Sequence, residues 1–84
     1  MGSSSREKPR LLAAKLLEIR VRLGLSQNEM VSRLGLEDKL IRSDISKYER
    51  GVREPSLLVV LKYAKAIGVS TDALIDDEEN LPPR

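Results

Sequence analysis

The sequence predicts an all-α fold, a compact bundle of five short helices, and three observations support this prediction. Apolar residues recur at intervals of three and four along most of the chain, as in helices with one buried face. Four glycines, at positions 24, 35, 51 and 68, divide the chain into segments of helical length, and glycine commonly follows the last turn of a helix. No segment has the pattern of a β-strand.

Length and composition limit what the chain can be. Its 84 residues suffice for one small domain, and hydrophobic residues make up 40% of them, enough for one modest core. The absence of cysteine and histidine excludes disulfides and thiolate metal sites, and removes the commonest metal ligand and general base. We therefore expect no enzymatic activity, metal, cofactor or small-molecule ligand. No apolar run approaches membrane-spanning length and no secretory signal is visible, so a cytoplasmic protein is expected.

The net charge of +2 conceals an uneven distribution of charged residues. Residues 1–75 contain 14 lysines and arginines against 9 acidic residues, a net charge of +5, whereas positions 76–79 are all acidic. A basic body with an acidic end suits an anionic partner, although surface charge kept for solubility gives the same balance.

Residues 1–10 are predicted to form a flexible basic arm. Met1–Ser5 is small and polar, as in a disordered native start or a cloning remnant. Arg6, Lys8 and Arg10 follow, and these side chains are either phosphate contacts or a solvated lead-in to the first helix.

The first helix is predicted over residues 11–23. Its apolar stripe consists of Leu12, Leu16, Ile19 and Leu23. Pro9 precedes it, at a position compatible with a first helical turn. Arg20 borders the stripe, which makes it either a snorkelling side chain or one partner of a buried ion pair.

The second helix is predicted to run from about Gln27 to Leu34. Ser26 and Glu29 match a capping box, in which each side chain accepts a hydrogen bond from the other residue's backbone N–H. The inward side chains are expected to be Met30, Val31 and Leu34. Gln27, the first residue, lies where free amides and the helix dipole favour a phosphate, although simple exposure also explains it.

The third helix is predicted over residues 43–51, and the other helices are expected to hold it in place. Ile45, Tyr48 and Glu49 lie on one face of a 3.6-residue repeat. The other faces carry a polar and mainly basic set of side chains: Arg42, Ser43, Ser46, Lys47 and Arg50. Gly51 suits the position after the last turn, and Pro55 prevents continuation. So short a helix is not stable alone, so its apolar face must pack against the remaining helices.

The fourth helix is predicted over residues 57–67 and the fifth over residues 71–75. The inward residues of the fourth are expected to be Leu57, Val60, Leu61, Ala64 and Ile67. In the fifth, Ser70 is the expected cap, Asp72 favours the first turn, and Leu74 and Ile75 join the core. Residues 77–84 form an acidic, proline-rich tail that is expected to be mobile from Glu78 onward.

Six short motifs occur in a fixed order along residues 11–75. They are Leu16-x-x-Ile19-Arg20, Gly24-Leu25-Ser26-Gln27-x-Glu29, Leu34-Gly35, Ile45-Ser46-x-Tyr48-Glu49-Arg50-Gly51, Pro55-Ser56-Leu57 and Ala64-x-Ala66-Ile67-Gly68-Val69-Ser70. Each is weak alone, but the ordered set resembles the Xre, or lambda-repressor-like, helix-turn-helix family. The resemblance implies a DNA-binding domain over residues 11–76, whose third helix enters the major groove while the second lies across the DNA backbone.

The resemblance also implies roles for individual residues. The side chains facing base edges would be Arg42, Ser43, Ser46 and Lys47. Those contacting phosphates would be Gln27, Arg50 and Arg53. Arg20 and Glu49 would form a buried salt bridge that ties the first helix to the third.

Two features depart from the family pattern. Seven residues, 36–42, separate the second helix from the third, where a helix-turn-helix normally has three or four. Leu40 and Ile41 either extend the third helix by a turn or dock the longer loop on the core. The second departure is Asp44, an acid at the start of the presumed reading helix. It either accepts from cytosine N4 or, as we favour, stabilises the helix N-terminus.

Leu58, Val59 and Tyr63 are a candidate dimer patch. Leu58 and Val59 lie off the predicted inward stripe of the fourth helix, and with Tyr63 they would present an apolar surface to a second copy. Dimerisation is attractive because one short helix reads few bases, whereas two half-sites multiply specificity.

The leading functional hypothesis is a stand-alone, sequence-specific regulator of transcription that binds double-stranded DNA as a homodimer in the cytoplasm, on the nucleoid. The alternative is a protein-interaction module, such as an antitoxin or a bridging cofactor, for which the dimer patch is the only indication. Binding to random-sequence DNA at two salt concentrations discriminates between them, because phosphate contacts make DNA binding steeply salt-dependent.

Overall fold

The computed structural model of the protein describes residues 8–83, and it is all-α over that range. Its five helices are α1 Leu12–Leu23, α2 Gln27–Leu34, α3 Arg42–Glu49, α4 Leu57–Ile67 and α5 Asp72–Ile75. The predicted five-helix order is therefore confirmed. The expectations for Met1–Ser5 and for Arg6 lie outside the described residues.

One hydrophobic core holds the helices together. Every helix contributes at least one of the largest fully buried side chains, which are Leu16, Ile19, Met30, Ile45, Tyr63 and Leu74. Burying a side chain of this size stabilises the fold by about 1.5–3 kcal/mol. The eight-residue α3 thus depends on this shared core, as its length predicts.

The capping box of α2 forms as predicted. The backbone N–H of Glu29 donates to Ser26 Oγ over 3.0 Å, and the N–H of Ser26 donates to Glu29 Oε1 over 2.8 Å. The second of these hydrogen bonds is the main reason that the pKa of Glu29 is lowered. Gly35 ends the helix with a φ of +72°, a conformation that glycine adopts without steric cost.

The long connection between α2 and α3 docks on the core instead of extending α3. Leu36 and Leu40 are both buried, while Ile41 is exposed. The helix begins at Arg42, because the backbone N–H of Ile41 donates to Asp44 Oδ2 over 2.9 Å and closes the first turn. The sequence predicted that Leu40 and Ile41 either extend α3 or dock the loop on the core. Docking is correct for Leu40, whereas Ile41 does neither.

The inward face of α4 differs from the prediction. Val59, Val60, Tyr63 and Ala64 are buried, whereas Leu57 and Leu61, both expected to face inward, are exposed and Ile67 is only partly buried. Residues 57–61 are all apolar, so their periodicity does not determine which side of the helix turns inward. Packing against the other helices selects the face that carries the large Tyr63 ring.

The C-terminal segment, residues 76–82, packs along α1, so the prediction of a tail that is mobile from Glu78 onward is wrong for residues 78–82. Leu81 is buried, and Arg22 Nη1 donates to the Pro82 carbonyl. Lys15, which is also buried, donates from Nζ to the carbonyls of Asp76 and Glu79 over 2.9 and 2.7 Å. These contacts are long-range in sequence, so no local pattern predicts them.

Two expectations for α5 also change. Thr71, not Ser70, precedes the helix, and no side chain caps it; the Ser70 carbonyl instead accepts from the N–H of Ala73. Ile75, expected in the core, is exposed, because a four-residue helix has room for few inward positions: Ala73 and Leu74 fill them.

Candidate nucleic-acid interface

The solvent-facing side of α3 is polar and basic. Arg42, Ser43, Lys47 and Arg50 are exposed and Ser46 is partly exposed, while Ile45 and Tyr48 anchor the opposite side in the core. The structure therefore brings all four predicted base-reading residues onto one accessible helix.

Ser46 and Arg50 form a pair one helical turn apart. Arg50 Nε donates to Ser46 Oγ over 3.2 Å. The hydrogen bond holds the exposed guanidinium against the helix, with its other N–H groups directed to solvent. The Ser46 hydroxyl can still donate its own hydrogen and accept on its second lone pair, so the pair presents both donors and an acceptor.

Arg20 and Glu49 are paired, as the resemblance implied. Arg20 Nε lies 2.6 Å from Glu49 Oε2 and Nη2 lies 3.0 Å from Oε1, a bidentate geometry. Arg20 Nη1 also donates to the Leu25 carbonyl over 2.9 Å. The hydrogen bond to Glu49 is the main cause of the raised pKa of Arg20. One guanidinium thus links α1, the α1–α2 turn and the end of α3.

Gln27 joins this network from the first residue of α2. Its Nε2 donates to Glu49 Oε1 over 3.1 Å, so Glu49 accepts from both Arg20 and Gln27. The Gln27 side chain is partly buried, and one of its two Nε2 hydrogens is already used. The predicted phosphate contact is consequently restricted to the remaining hydrogen and to the free backbone N–H groups of the first turn.

Arg53 lies against α3 from the loop that follows it. Its Nη1 donates to Asp44 Oδ1 over 2.6 Å, and its guanidinium carbon lies 5.9 Å from the centre of the Tyr48 ring. Both residues stand out in the sequence, but no local pattern pairs them. The two positions are nine apart across a helix end, outside the i, i+4 spacing that predicts local ion pairs.

Lys8 is a further basic residue at this end of the molecule. With Pro9 it lines a shallow cleft of about 90 Å³ together with Tyr48 and the loop of residues 51–55. The described end of the basic arm therefore lies beside Arg53. The resemblance gave no position for this arm, and only the tertiary fold brings it here.

The predicted dimer patch does not exist as one surface. Val59 and Tyr63 are 6% and 0% exposed, so both belong to the core, and only Leu58 remains accessible. The physical reason is that α4 turns the face that carries Val59 and Tyr63 toward the core. The exposed apolar side chains on that helix are instead Leu57, Leu58 and Leu61.

Within residues 8–83, no group of three or more acidic side chains is arranged to hold a metal ion. None of the five helices is long and apolar enough to cross a membrane.

Comparison with known proteins identifies the family. A family model described as a helix-turn-helix domain matches residues 13–79. The chain is 32% identical over 68 residues to the HTH-type transcriptional regulator ImmR of Bacillus subtilis (strain 168), covering 81% of this chain and half of that protein's length. It is 29% identical over 73 residues to the uncharacterized HTH-type transcriptional regulator y4dJ of Sinorhizobium fredii, covering 87% of this chain and 90% of that protein.

Solved structures share the fold. The P22 c2 repressor protein, crystallised in complex with synthetic operator 9T, superposes with a TM-score of 0.68 at 25% identity, over 81% of this chain and 97% of the repressor chain. A hypothetical transcription factor, NHTF from Neisseria, superposes with a TM-score of 0.64 at 30% identity, over 96% and 90% of the two chains. The five-helix fold is thus lambda-repressor-like, and the matched family is non-enzymatic. The chain belongs to the helix-turn-helix domain family.

Proposed function

We propose that the chain is a transcriptional regulator that binds specific DNA sequences by placing α3 in the major groove. The exposed basic side of α3 carries this proposal. Four side chains suited to hydrogen bonding with DNA project from a helix whose opposite side is fixed by Ile45, Tyr48 and the Glu49–Arg20 pair. The operator complex of the similarly folded P22 c2 repressor supports the same reading.

The proposed base-reading residues are Arg42, Ser43, Ser46 and Lys47. Arginine and lysine donate to guanine O6 and N7, and serine hydrogen-bonds to any base edge. The seven-residue connection leads into Arg42, so its docking by Leu36 and Leu40 determines where the first reading residue lies. A buried anchor of this kind is what a helix needs to present the same face to every DNA molecule.

The proposed phosphate contacts are Gln27, Arg50 and Arg53. Gln27 is at the N-terminus of α2, where the dipole and free amides favour an anion. Arg50 and Arg53 lie at and beyond the end of α3, where the two DNA backbones flank a groove-bound helix. Such contacts fix orientation and contribute most of the sequence-independent affinity.

We also propose that the protein binds its operator as a homodimer. Leu57 and Leu58 are 81% and 50% exposed and Leu61 is exposed one turn later, an apolar surface that a second copy would cover. Doubling the reading surface gives the specificity that one eight-residue helix lacks. We propose that this binding takes place in the cytoplasm, on the DNA of the nucleoid. We also propose that the chain consists of a basic arm (1–10), a DNA-binding domain (11–76) and an acidic tail (77–84).

A binding titration tests the proposal. The protein is titrated with random-sequence duplex at about 50 and 200 mM salt, and with duplexes selected by the protein from a random pool. We expect affinity for random duplex to fall steeply with salt, and the selected duplexes to share a sequence. Failure to bind any duplex at low salt would instead indicate a protein-interaction module, the second candidate function, with Leu57, Leu58 and Leu61 as its surface.

A further inference from the structure

Both carboxylate oxygens of Asp44 are occupied within the protein. Oδ2 accepts from the backbone N–H of Ile41 over 2.9 Å, and Oδ1 accepts from Arg53 Nη1 over 2.6 Å. The Asp44 side chain is only 16% exposed, whereas Arg53 is 53% exposed. Asp44 is therefore badly placed to accept a hydrogen bond from a base, although it lies at the start of the reading helix.

Arg53 is held from two sides. Asp44 binds one end of its guanidinium, and the buried Tyr48 ring lies 5.9 Å below its central carbon. The remaining N–H groups of this planar group are available for a phosphate. A long, mobile side chain is thus restricted to one pose before DNA arrives, so less conformational entropy is lost on binding.

We propose that Asp44 is a positioning residue that makes Arg53 favour the operator over random DNA. This inference rests on the proposed function. Asp44 neutralises the charge of Arg53, which weakens the sequence-independent attraction between Arg53 and DNA. It also fixes the direction of the guanidinium, so Arg53 reaches a phosphate well only in the register that the base contacts of α3 impose. Specificity is the difference between these two affinities, and Asp44 acts on both.

The proposal predicts that the ratio of operator to random affinity changes. Removal of a negative charge that holds no arginine leaves this ratio unchanged. In Asp44→Asn the amide oxygen can still accept from Ile41, but the charge that holds Arg53 is lost. Asp38→Asn is the matched control, because Asp38 is exposed in the loop leading to α3 and forms no hydrogen bond or ion pair with residues 8–83. Each variant is titrated with the selected operator and with random duplex at one salt concentration.

We expect Asp44→Asn to raise the affinity for random duplex several-fold and to lower the ratio of operator to random affinity by at least about threefold. Asp38→Asn should raise both affinities equally and leave the ratio unchanged. In an Arg53→Ala background, Asp44→Asn should no longer change the ratio. An unchanged ratio in Asp44→Asn overturns the proposal, and so does an equal fall in the Arg53→Ala background, since Asp44 would then act without Arg53.

A second variant keeps the test valid if Asp44→Asn does not fold. Arg53→Lys retains the charge but loses the planar fork, so it should lower the ratio with little change in affinity for random duplex. An unchanged ratio here also contradicts the proposal. The wild-type protein distinguishes failure of the proposed function from failure of this inference. If the wild type prefers no DNA sequence, both fail. If the wild type is selective and the variants keep its ratio of operator to random affinity, only the role of Asp44 is overturned.

Discussion

Arg20 and Glu49 connect α1 to the end of α3 through a bidentate ion pair, with Nε and Oε2 2.6 Å apart. The two side chains are 18% and 5% exposed, so the pair is largely removed from water. Because Glu49 also accepts from Gln27, the pair joins α1, α2 and α3 at one point.

Removing one partner of this pair should destabilise the fold severely. We expect Arg20→Met or Glu49→Leu to cost about 3–5 kcal/mol, because the remaining charge is left buried and unpaired. The double mutant should recover part of the loss, since it strands no charge. Thermal and urea unfolding of the three variants measure these free energies. Single mutants that unfold like the wild type would show that the pair contributes nothing.

Lys47 should read sequence. Lys47→Ala is expected to cost about 1–3 kcal/mol of binding to the selected operator and to relax the preference at one base-pair position. The control is Lys65→Ala, which removes the same charge from an exposed position on α4. Affinities across single-base operator variants decide the question. Equal weakening on every sequence would make Lys47 a phosphate contact.

The hydroxyl of Tyr63 should be dispensable at neutral pH. It is buried and has no hydrogen-bond partner among residues 8–83, so its desolvation is uncompensated. We expect Tyr63→Phe to leave the free energy of unfolding unchanged or to raise it. Tyr63→Leu is the comparison, because it removes ring atoms from the core and should destabilise the fold. A clear loss of stability in Tyr63→Phe would contradict the prediction.

Tyr63 should also limit the stability of the fold at alkaline pH. Burial raises the pKa of Tyr63 above its ordinary value in the folded protein. Above about pH 10 the unfolded chain loses this proton and the folded chain retains it, so the stability should fall as the pH rises. Urea unfolding between pH 9 and 11 should show a steeper decline for the wild type than for Tyr63→Phe. Parallel declines would exclude Tyr63 as the cause.

Asp77 should stabilise the packed C-terminal segment in a pH-dependent manner. Its carboxylate accepts from the backbone N–H groups of Arg10 and Leu11, over 3.0 and 3.1 Å, and these hydrogen bonds lower its pKa. The stabilisation is therefore present above about pH 4 and is lost as the pH falls through the lowered pKa. Asp77→Ala should lower the Tm more at pH 7 than at pH 2, while Glu78→Ala should change the Tm at neither pH. Equal melting of both variants at pH 7 would argue against this role.

Assembly on DNA should depend on the exposed leucines of α4. A two-fold dimer should select inverted half-sites with centres about 34–36 Å apart. Leu58→Glu should weaken cooperative binding, because it places a charge in the proposed contact, whereas Lys65→Glu on the same helix should not. Sedimentation with the selected operator counts the bound chains. A 1:1 complex on an asymmetric site would reject the dimer.

Sequence by itself determined the number and order of the helices, because most of their ends are encoded locally. Ser26 and Glu29 interact across three residues, and Gly24, Gly35 and Gly68 adopt their positive φ values where the apolar repeats stop. The basic side of α3 was equally visible, since its residues are neighbours in the chain. The Arg20–Glu49 pair was implied by resemblance to a family, which supplied the distance information that local patterns lack.

Only the tertiary structure decided which faces meet. Five consecutive apolar residues left the rotation of α4 open, and packing placed Val59 and Tyr63 inside while Leu57 and Leu61 stayed exposed. The C-terminal segment packs because Lys15 binds carbonyls more than 60 positions away. Asp44 meets Arg53 because the chain turns back beyond α3. These contacts join residues that no helical repeat connects. They therefore stabilise the protein only after the core has brought the helices together.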